Sequence, residues 1–221
     1  MNDLSPTEED YIKAVFSITE RNRGMANTND IAKFLKTSAA SVTDMIKRLS
    51  TKGFLNYKKY HGVQLSQAGV AYATGLVRRE RLWKVFLHQE LGINWEMINP
   101  IAEQLKHVQS SVMVAQLDKF LGHPKYDPHG EAIPNAEGRY TLRKQSSLFN
   151  LEKNIKASIV AVRNQNQDFL NFLNDHSLGI GVTIEVLKHN DFDHSRLIVI
   201  EEKEELLLSA KICQEIYVRS L

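Results

Sequence analysis

Residues 28–65, TNDIAKFLKTSAASVTDMIKRLSTKGFLNYKKYHGVQL, decide the architecture. Thr28 is a good N-cap with Asp30 in the first turn, and Ile31, Phe34 and Leu35 follow on one side at helical spacing. Lys36 and Thr37 break that pattern. Ser38 can then cap a second helix, whose Val42, Met45, Ile46 and Leu49 recur at i, i+3, i+4 and i+7 as one apolar stripe. The opposite face carries Ala40, Thr43, Asp44 and Lys47. Gly53 ends this helix, and Phe54 to Lys58 and Val63 to Leu65 are short strand-like runs around Tyr60-His61-Gly62. Two short helices, a tight connection and a hairpin make a winged helix-turn-helix.

Charge is concentrated in the same stretch. Between Ala32 and Tyr60 stand Lys33, Lys36, Lys47, Arg48, Lys52, Lys58 and Lys59 against Asp44 alone, although the whole chain carries only +2. A basic run by itself is usually a solvated face, but on a helix-turn-helix it points to DNA. Small residues such as Ala40 and Ser41 at the start of the second helix admit close approach to a groove, and lysines on helix and wing can meet phosphates.

The chain has 221 residues, 43% hydrophobic and 24% charged, a composition that fits two or three soluble modules. No apolar stretch approaches the roughly 18 residues of a membrane span, and Met1 to Glu9 is polar and acidic, unlike a signal peptide. The expected location is cytoplasmic. Cys213 is the only cysteine, which excludes an internal disulfide and cysteine-rich zinc sites and leaves it as a small apolar core residue.

Ahead of the winged module, Ser5-Pro6-Thr7-Glu8 is a capping box, and Tyr11, Ile12, Val15 and Ile18 continue a helix to about Glu20. Behind it, Ser66 opens a long helix ending before Gly92, too long for the core of one small module. Its Leu82, Trp83, Val85, Phe86 and Leu87 are apolar on more than one face, so either a second subunit or the rest of the same chain covers them; Leu82, Trp83 and Phe86 are the candidate dimer contacts. Asn94 to Val108 is helical with Pro100 either at the helix start or at a kink, and a further helix runs from Ser110 or Ser111 to Gly122. His123 to Pro134 holds three prolines, and the polar residues that follow to Ser147 extend an irregular boundary. Beyond Ile155 come strand-like runs at Ser158–Val162, Val182–Leu187, Arg196–Ile200 and Glu205–Leu208 with one helix, Gln167–Asp175, which read as a small barrel. Residues 151–221 contain eight Lys or Arg against eleven Asp or Glu, so this module is a poor DNA binder. The expected organisation is a winged domain over 1–65, a helical domain over 66–134, a linker over 135–150 and a barrel over 151–221.

The assembled pieces resemble the diphtheria toxin repressor and manganese transport regulator family over essentially the whole chain. The resemblance is carried by EEDYIKAVFSI, IAKFLKTSAASVTDMIKRLSTKGFL, YHGVQLSQAG, RRERLWKVFL, AEQLKHV and HPKYDPHGEAIP. It implies a mainly α protein with a helical dimerisation domain and an SH3-like C-terminal barrel, a homodimer that grips palindromic double-stranded operator DNA. By similarity Ser38, Ala40, Ser41, Thr43 and Asp44 face DNA, and Thr28, Lys47, Lys58 and Lys59 complete the candidate interface. The resemblance also implies Fe2+ or Mn2+ held between the first helix and the dimerisation helices, with Asp10, Glu103 and His107 at ligand positions and Glu80 where the family has a histidine. Glu103 and His107 have the i, i+4 spacing of two ligands on one helix face. The pattern departs at Lys13 and Lys106, where members often carry glutamates, at Lys84 in place of a glutamate, and at Asn99 in place of a histidine; Gln165 and Asp168 align with barrel positions of a second site. Without the family, Asp10 with Lys13 and Glu80 with Lys84 read as ion pairs along single helices. Metal-independent operator binding is therefore the expectation, and a conventional Mn2+ or Fe2+ switch with a reduced ligand set is the alternative.

An enzyme is a poor reading, since no Gly-x-Ser-x-Gly, His-Glu-x-x-His, phosphate loop or nucleotide fingerprint occurs. A third class, an interaction protein on the same fold without DNA binding, is opposed by the basic winged module.

Overall fold

The computed structural model describes residues 4–22, 24–58 and 61–221. They form two compact units: residues up to 80 with 105–110 and 134–139, and residues 81–104, 111–133 and 140–221.

In the first unit, α1 (Pro6–Asn22), α2 (Thr28–Leu35) and α3 (Ala39–Thr51) precede a hairpin of β1 (Leu55–Lys58) and β2 (Gly62–Leu65) and the first part of α4 (Gln67–Gln89). The expected capping box opens α1: Ser5 N–H donates to the Glu8 carboxylate at 2.9 Å, and Glu8 N–H to Ser5 Oγ at 3.3 Å. The cap of α2 is Asn27 rather than Thr28. Asn27 has the extended backbone a cap needs, its Oδ1 accepts Asp30 N–H at 2.8 Å, and Thr28 becomes the first helical residue. Ser38 caps α3 as expected, accepting Ser41 N–H at 3.1 Å. Val42, Ile46 and Leu49 are fully buried against Ile12, Val15 and Ile31, each contributing about 1.5–3 kcal/mol by leaving water. The wing is stitched to the chain before α2 by paired backbone bonds between Ala26 and Val63 at 2.8 and 2.9 Å. Gly62 makes that approach possible, because its φ is 111° and a Cβ there would stand 2.7 Å from Ala26 O.

The second unit holds the remainder of α4, α5 (Ile98–Leu105) as far as residue 104, α6 (Ser111–Phe120) and a C-terminal sheet. Leu82 and Val85 are essentially inaccessible and Trp83 is 8% exposed, so the first two candidate dimer contacts are core residues of their own chain. The apolar character of α4 on several faces is thus met largely from within. Phe86 is only half-buried, edge-on to Trp83 at 5.7 Å and 6.2 Å from the exposed Phe120 ring. Pro100 neither starts nor kinks α5; it is the third helical residue, in the first turn, where its missing N–H would have no intrahelical acceptor.

Residues 123–134, read as irregular, are ordered by an Asp127 side chain that accepts the N–H groups of His129 (3.0 Å) and Glu131 (2.9 Å). The stretch expected as a linker contributes a two-residue strand, β3 (Ser146–Ser147). With β4 (Lys156–Val162), β5 (Thr183–His189), β6 (Arg196–Ile200), β7 (Glu204–Leu208) and β8 (Ile216–Ser220) it forms an antiparallel sheet in the order β3-β8-β4-β5-β6-β7. Irregular register in β4 at Ile159/Ala161 and in β5 at Val186/Lys188 bends it into the SH3-like form. Two of its strands, β3 and β8, and the short α8 (Ala210–Glu215) had no counterpart in the sequence reading, while α7 (Gln167–Asp175) did. Cys213 is fully buried, and burial pushes its thiol up to about 11, as expected of an inert core residue. No described helix is long and apolar enough to cross a membrane.

Candidate nucleic-acid interface and the cluster behind it

Along α3, Ala40, Ser41, Asp44 and Lys47 are exposed and Thr43 is half-exposed, with its hydroxyl donated back to Ala39 O at 2.9 Å. Asp44 and Lys47 stand 3.9 Å apart with side chains 82% and 66% exposed. Such a pair is worth under about 1 kcal/mol, so either partner is available to a base or a phosphate. Lys58 is exposed at the end of β1, Thr28 is half-buried, and Lys59 lies outside the described residues.

Two of the cations counted toward this face are held elsewhere. Arg48 Nε is 2.9 Å and Lys52 Nζ 2.6 Å from the Glu8 carboxylate, whose side chain is 1% exposed. Burial alone would raise the Glu8 pKa; the Lys52 hydrogen bond, the Ser5 N–H and the two positive charges outweigh it and hold the carboxyl below its usual value. Glu8 was legible only as a capping residue, and its second role went unseen.

Behind this face, Glu9 of α1 is fully inaccessible and collects donors from two other segments. Tyr72 Oη donates at 2.6 Å, Arg79 Nη2 at 3.0 Å and Gln109 Nε2 at 3.1 Å, and His107 Nδ1 is in direct contact. Burial, then the bond to Glu9, raises the Tyr72 pKa. Sequence reasoning named Asp10 and His107 but not Glu9, although the EEDYIKA run contains it.

The residues expected around a metal meet as cation–carboxylate pairs. Lys106, fully buried, places Nζ 2.8 Å from Asp10 Oδ1, and Lys13 Nζ lies 2.5 Å from Glu80 Oε2. The pairing is between segments, not along single helices as the i, i+3 and i, i+4 spacings suggested. His107 Nε2 is 3.4 Å from Asp10, but α5 ends at Leu105, so Glu103 and His107 do not share a helix face; Glu103 is exposed on α5. In the second unit Lys84, 2% exposed, reaches Gln165 Oε1 at 3.0 Å and Asp127 at 3.7 Å, and Asn99 Nδ2 donates to Gln165 O at 3.3 Å. The second-site positions Lys84, Asn99 and Gln165 therefore do come together, while Asp168 is exposed on α7. Among the described residues no three His, Cys, Asp or Glu side chains converge as a metal would require. As placed, the first cluster is built of ammonium–carboxylate pairs.

Residues 3–63 match the iron dependent repressor N-terminal DNA binding domain, residues 66–135 the iron dependent repressor metal binding and dimerisation domain, and residues 147–220 the FeoA domain. The chain is 35% identical over 136 residues to the HTH-type transcriptional regulator MntR of Geobacillus thermodenitrificans, covering 61% of this chain and 95% of that protein. With the iron-dependent repressor IdeR of Mycobacterium leprae it shares 29% over 134 residues, 61% of this chain but only 58% of the length of that relative. A solved manganese-dependent transcriptional repressor in complex with manganese has the same fold, with a TM-score of 0.85 at 25% identity, covering 97% of this chain and 100% of that one. On these matches the chain belongs to the family of iron- and manganese-dependent DNA-binding regulators that includes the diphtheria toxin repressor and the manganese transport regulator.

Proposed function

We propose that this chain is a homodimeric repressor that grips a palindromic operator with two winged modules and does so without divalent metal. The observation that carries the metal-independence is the buried Lys106 ammonium on Asp10, with Lys13 on Glu80 beside it in the same unit. Relatives are named for iron or manganese dependence, whereas here α1 is already joined to α4 and to residues 105–110 by opposite charges. The test is operator binding in excess chelator. Affinity within about twofold of that in Mn2+ supports the reading, since a coupled metal would shift binding several-fold or more. Binding that appears only with added Mn2+ or Fe2+ overturns it and favours the conventional switch, which the fold shared with a manganese-bound repressor supports.

At the DNA, exposed Lys58 is assigned to a phosphate and Ser41 to base reading. Lys58→Ala is expected to weaken binding to all sequences and lower the log-log salt slope by about 1, while Ser41→Ala relaxes sequence preference. An unchanged slope in Lys58→Ala would remove the wing from the interface.

The dimer contact is reassigned from Leu82 and Trp83 to the exposed α6 side chains Val112 (70% exposed) and Phe120 (64%), with Phe86 beside Phe120. Paired modules would read half-sites about 34 Å apart or a multiple of it. Sedimentation at micromolar concentration should give two chains, and Phe120→Asp a folded monomer; a monomeric parent protein would refute the dimer.

A further inference from the structure

The second unit has a pocket open to solvent, of about 230 Å³, whose lining includes three arginines, Arg81, Arg143 and Arg163, and a single carboxylate, Glu131. Arg81 is committed: its Nη2 is 3.0 Å from Glu131 and its Nη1 donates to Ala132 O at 2.5 Å. The other two are not neutralised in this way. Arg143 lies over the Tyr126 ring, 4.1 Å from its centroid, and donates Nε to Gln145 at 2.8 Å and Nη2 to the carbonyls of Gly130 and Val160, which leaves Nη1 uncommitted. Gly130 permits this bridge, since a Cβ there would stand 2.0 Å from Val160 O and 2.8 Å from Arg143 Nη2. Burial pulls the Arg143 pKa down, so its charge is poorly hydrated. Arg163 is exposed, its guanidinium 5.0 Å from the Tyr217 ring centroid and without a carboxylate partner among the described residues. Two guanidiniums, each placed over an aromatic ring, thus line one pocket, and among the described residues neither forms a salt bridge with a carboxylate. A guanidinium fork matches an oxyanion with two parallel hydrogen bonds.

We propose that this pocket binds a small organic oxyanion whose charged head is taken by Arg143 and Arg163 and whose body rests on Leu142, Ala161 and Val162. Pockets for drug-sized molecules run from about 300 to 1,000 Å³, so this one selects a compact metabolite. The oxyanion can be a carboxylate or a phosphate. Calorimetric titration of the full chain with citrate and, separately, with inorganic phosphate distinguishes them, and neither titration contains DNA or metal, so its outcome is separate from that of the operator assay. Saturable binding of one probe at about millimolar concentration or below is expected, weakened at least about tenfold by Arg163→Gln and only partly by Arg163→Lys. Because Arg163 is exposed, thermal unfolding of Arg163→Gln should match the parent. No saturable heat with either probe up to about 10 mM, or equal binding by Arg163→Gln, would overturn the site.

Discussion

Replacing Lys13 and Lys106 together by glutamate is expected to create a protein stabilised by about 2.7 kcal/mol when Mn2+ stands at a hundredfold its dissociation constant, where the proposed metal-independence of the parent predicts no gain. In the parent, Lys106 Nζ is 2.8 Å from Asp10 and Lys13 Nζ 2.5 Å from Glu80, with the His107 ring 3.4 Å from the same Asp10 oxygen. A divalent cation about 4 Å from one ammonium is repelled by roughly 8 kcal/mol at an effective dielectric near 20, which equals the whole free energy of a micromolar site. Metal and charged lysines therefore exclude each other. Exchanging both lysines for carboxylates turns the repulsion into attraction and adds oxygen donors to Asp10, Glu80 and His107, a mixed set suited to Mn2+ or Fe2+. In chelator the same variant loses two pairs and gathers like charges, so it should be less stable than the parent. Thermal unfolding of both proteins with and without Mn2+ reads the contrast, and a variant that folds only on adding metal is the same result in stronger form. Equal stabilisation of parent and variant, or a folded variant that ignores Mn2+, would refute the assignment.

What the sequence disclosed and what it hid divide by the range of the interaction. The Ser5–Glu8 box, the Ser38 cap, the Val42-Ile46-Leu49 stripe and the Leu55 to Leu65 hairpin are set by neighbours a few residues apart, and all were legible. The strand β8 was not, because it follows α8 without a glycine or proline between them and takes its partners from β4 and β3. The same holds for charge. Glu8 meets Lys52 across 44 residues and Glu9 meets His107 across 98, separations at which spacing carries no signal. Lys13 and Lys106 could be placed among the ligand positions by resemblance, yet which carboxylate each would choose depended on how α1, α4 and residues 105–110 come together. Leu82 and Trp83 failed for a related reason: periodicity reports that a face is apolar and not whether its own chain or a second one covers it.

Glu9→Gln should be among the most destabilising single substitutions in the first unit. Glu9 is fully inaccessible, and its oxygens accept from Tyr72, Arg79 and Gln109 and meet His107, so α1 is tied through one carboxylate to α4 and to residues 105–110. Glutamine keeps the shape but loses the charge, and its NH2 group would point a donor at donors. Arg79, 14% exposed, would be left without its carboxylate, and breaking a buried pair by removing one partner costs about 3–5 kcal/mol. That is a large share of the roughly 5–15 kcal/mol by which a domain is stable, and it corresponds to a fall in Tm of about 10 °C. Glu8→Gln makes the control, since Arg48 and Lys52, 58% and 27% exposed, can turn to water and the loss should be smaller. A second readout separates this account from general loosening. Burial and then the Glu9 bond raise the Tyr72 pKa, so removing the acceptor charge should let Tyr72 titrate at lower pH in a spectrophotometric titration of the folded variant. If Glu9→Gln instead unfolds within about 1 kcal/mol of the parent and Tyr72 titrates unchanged, the carboxylate is not what joins these segments.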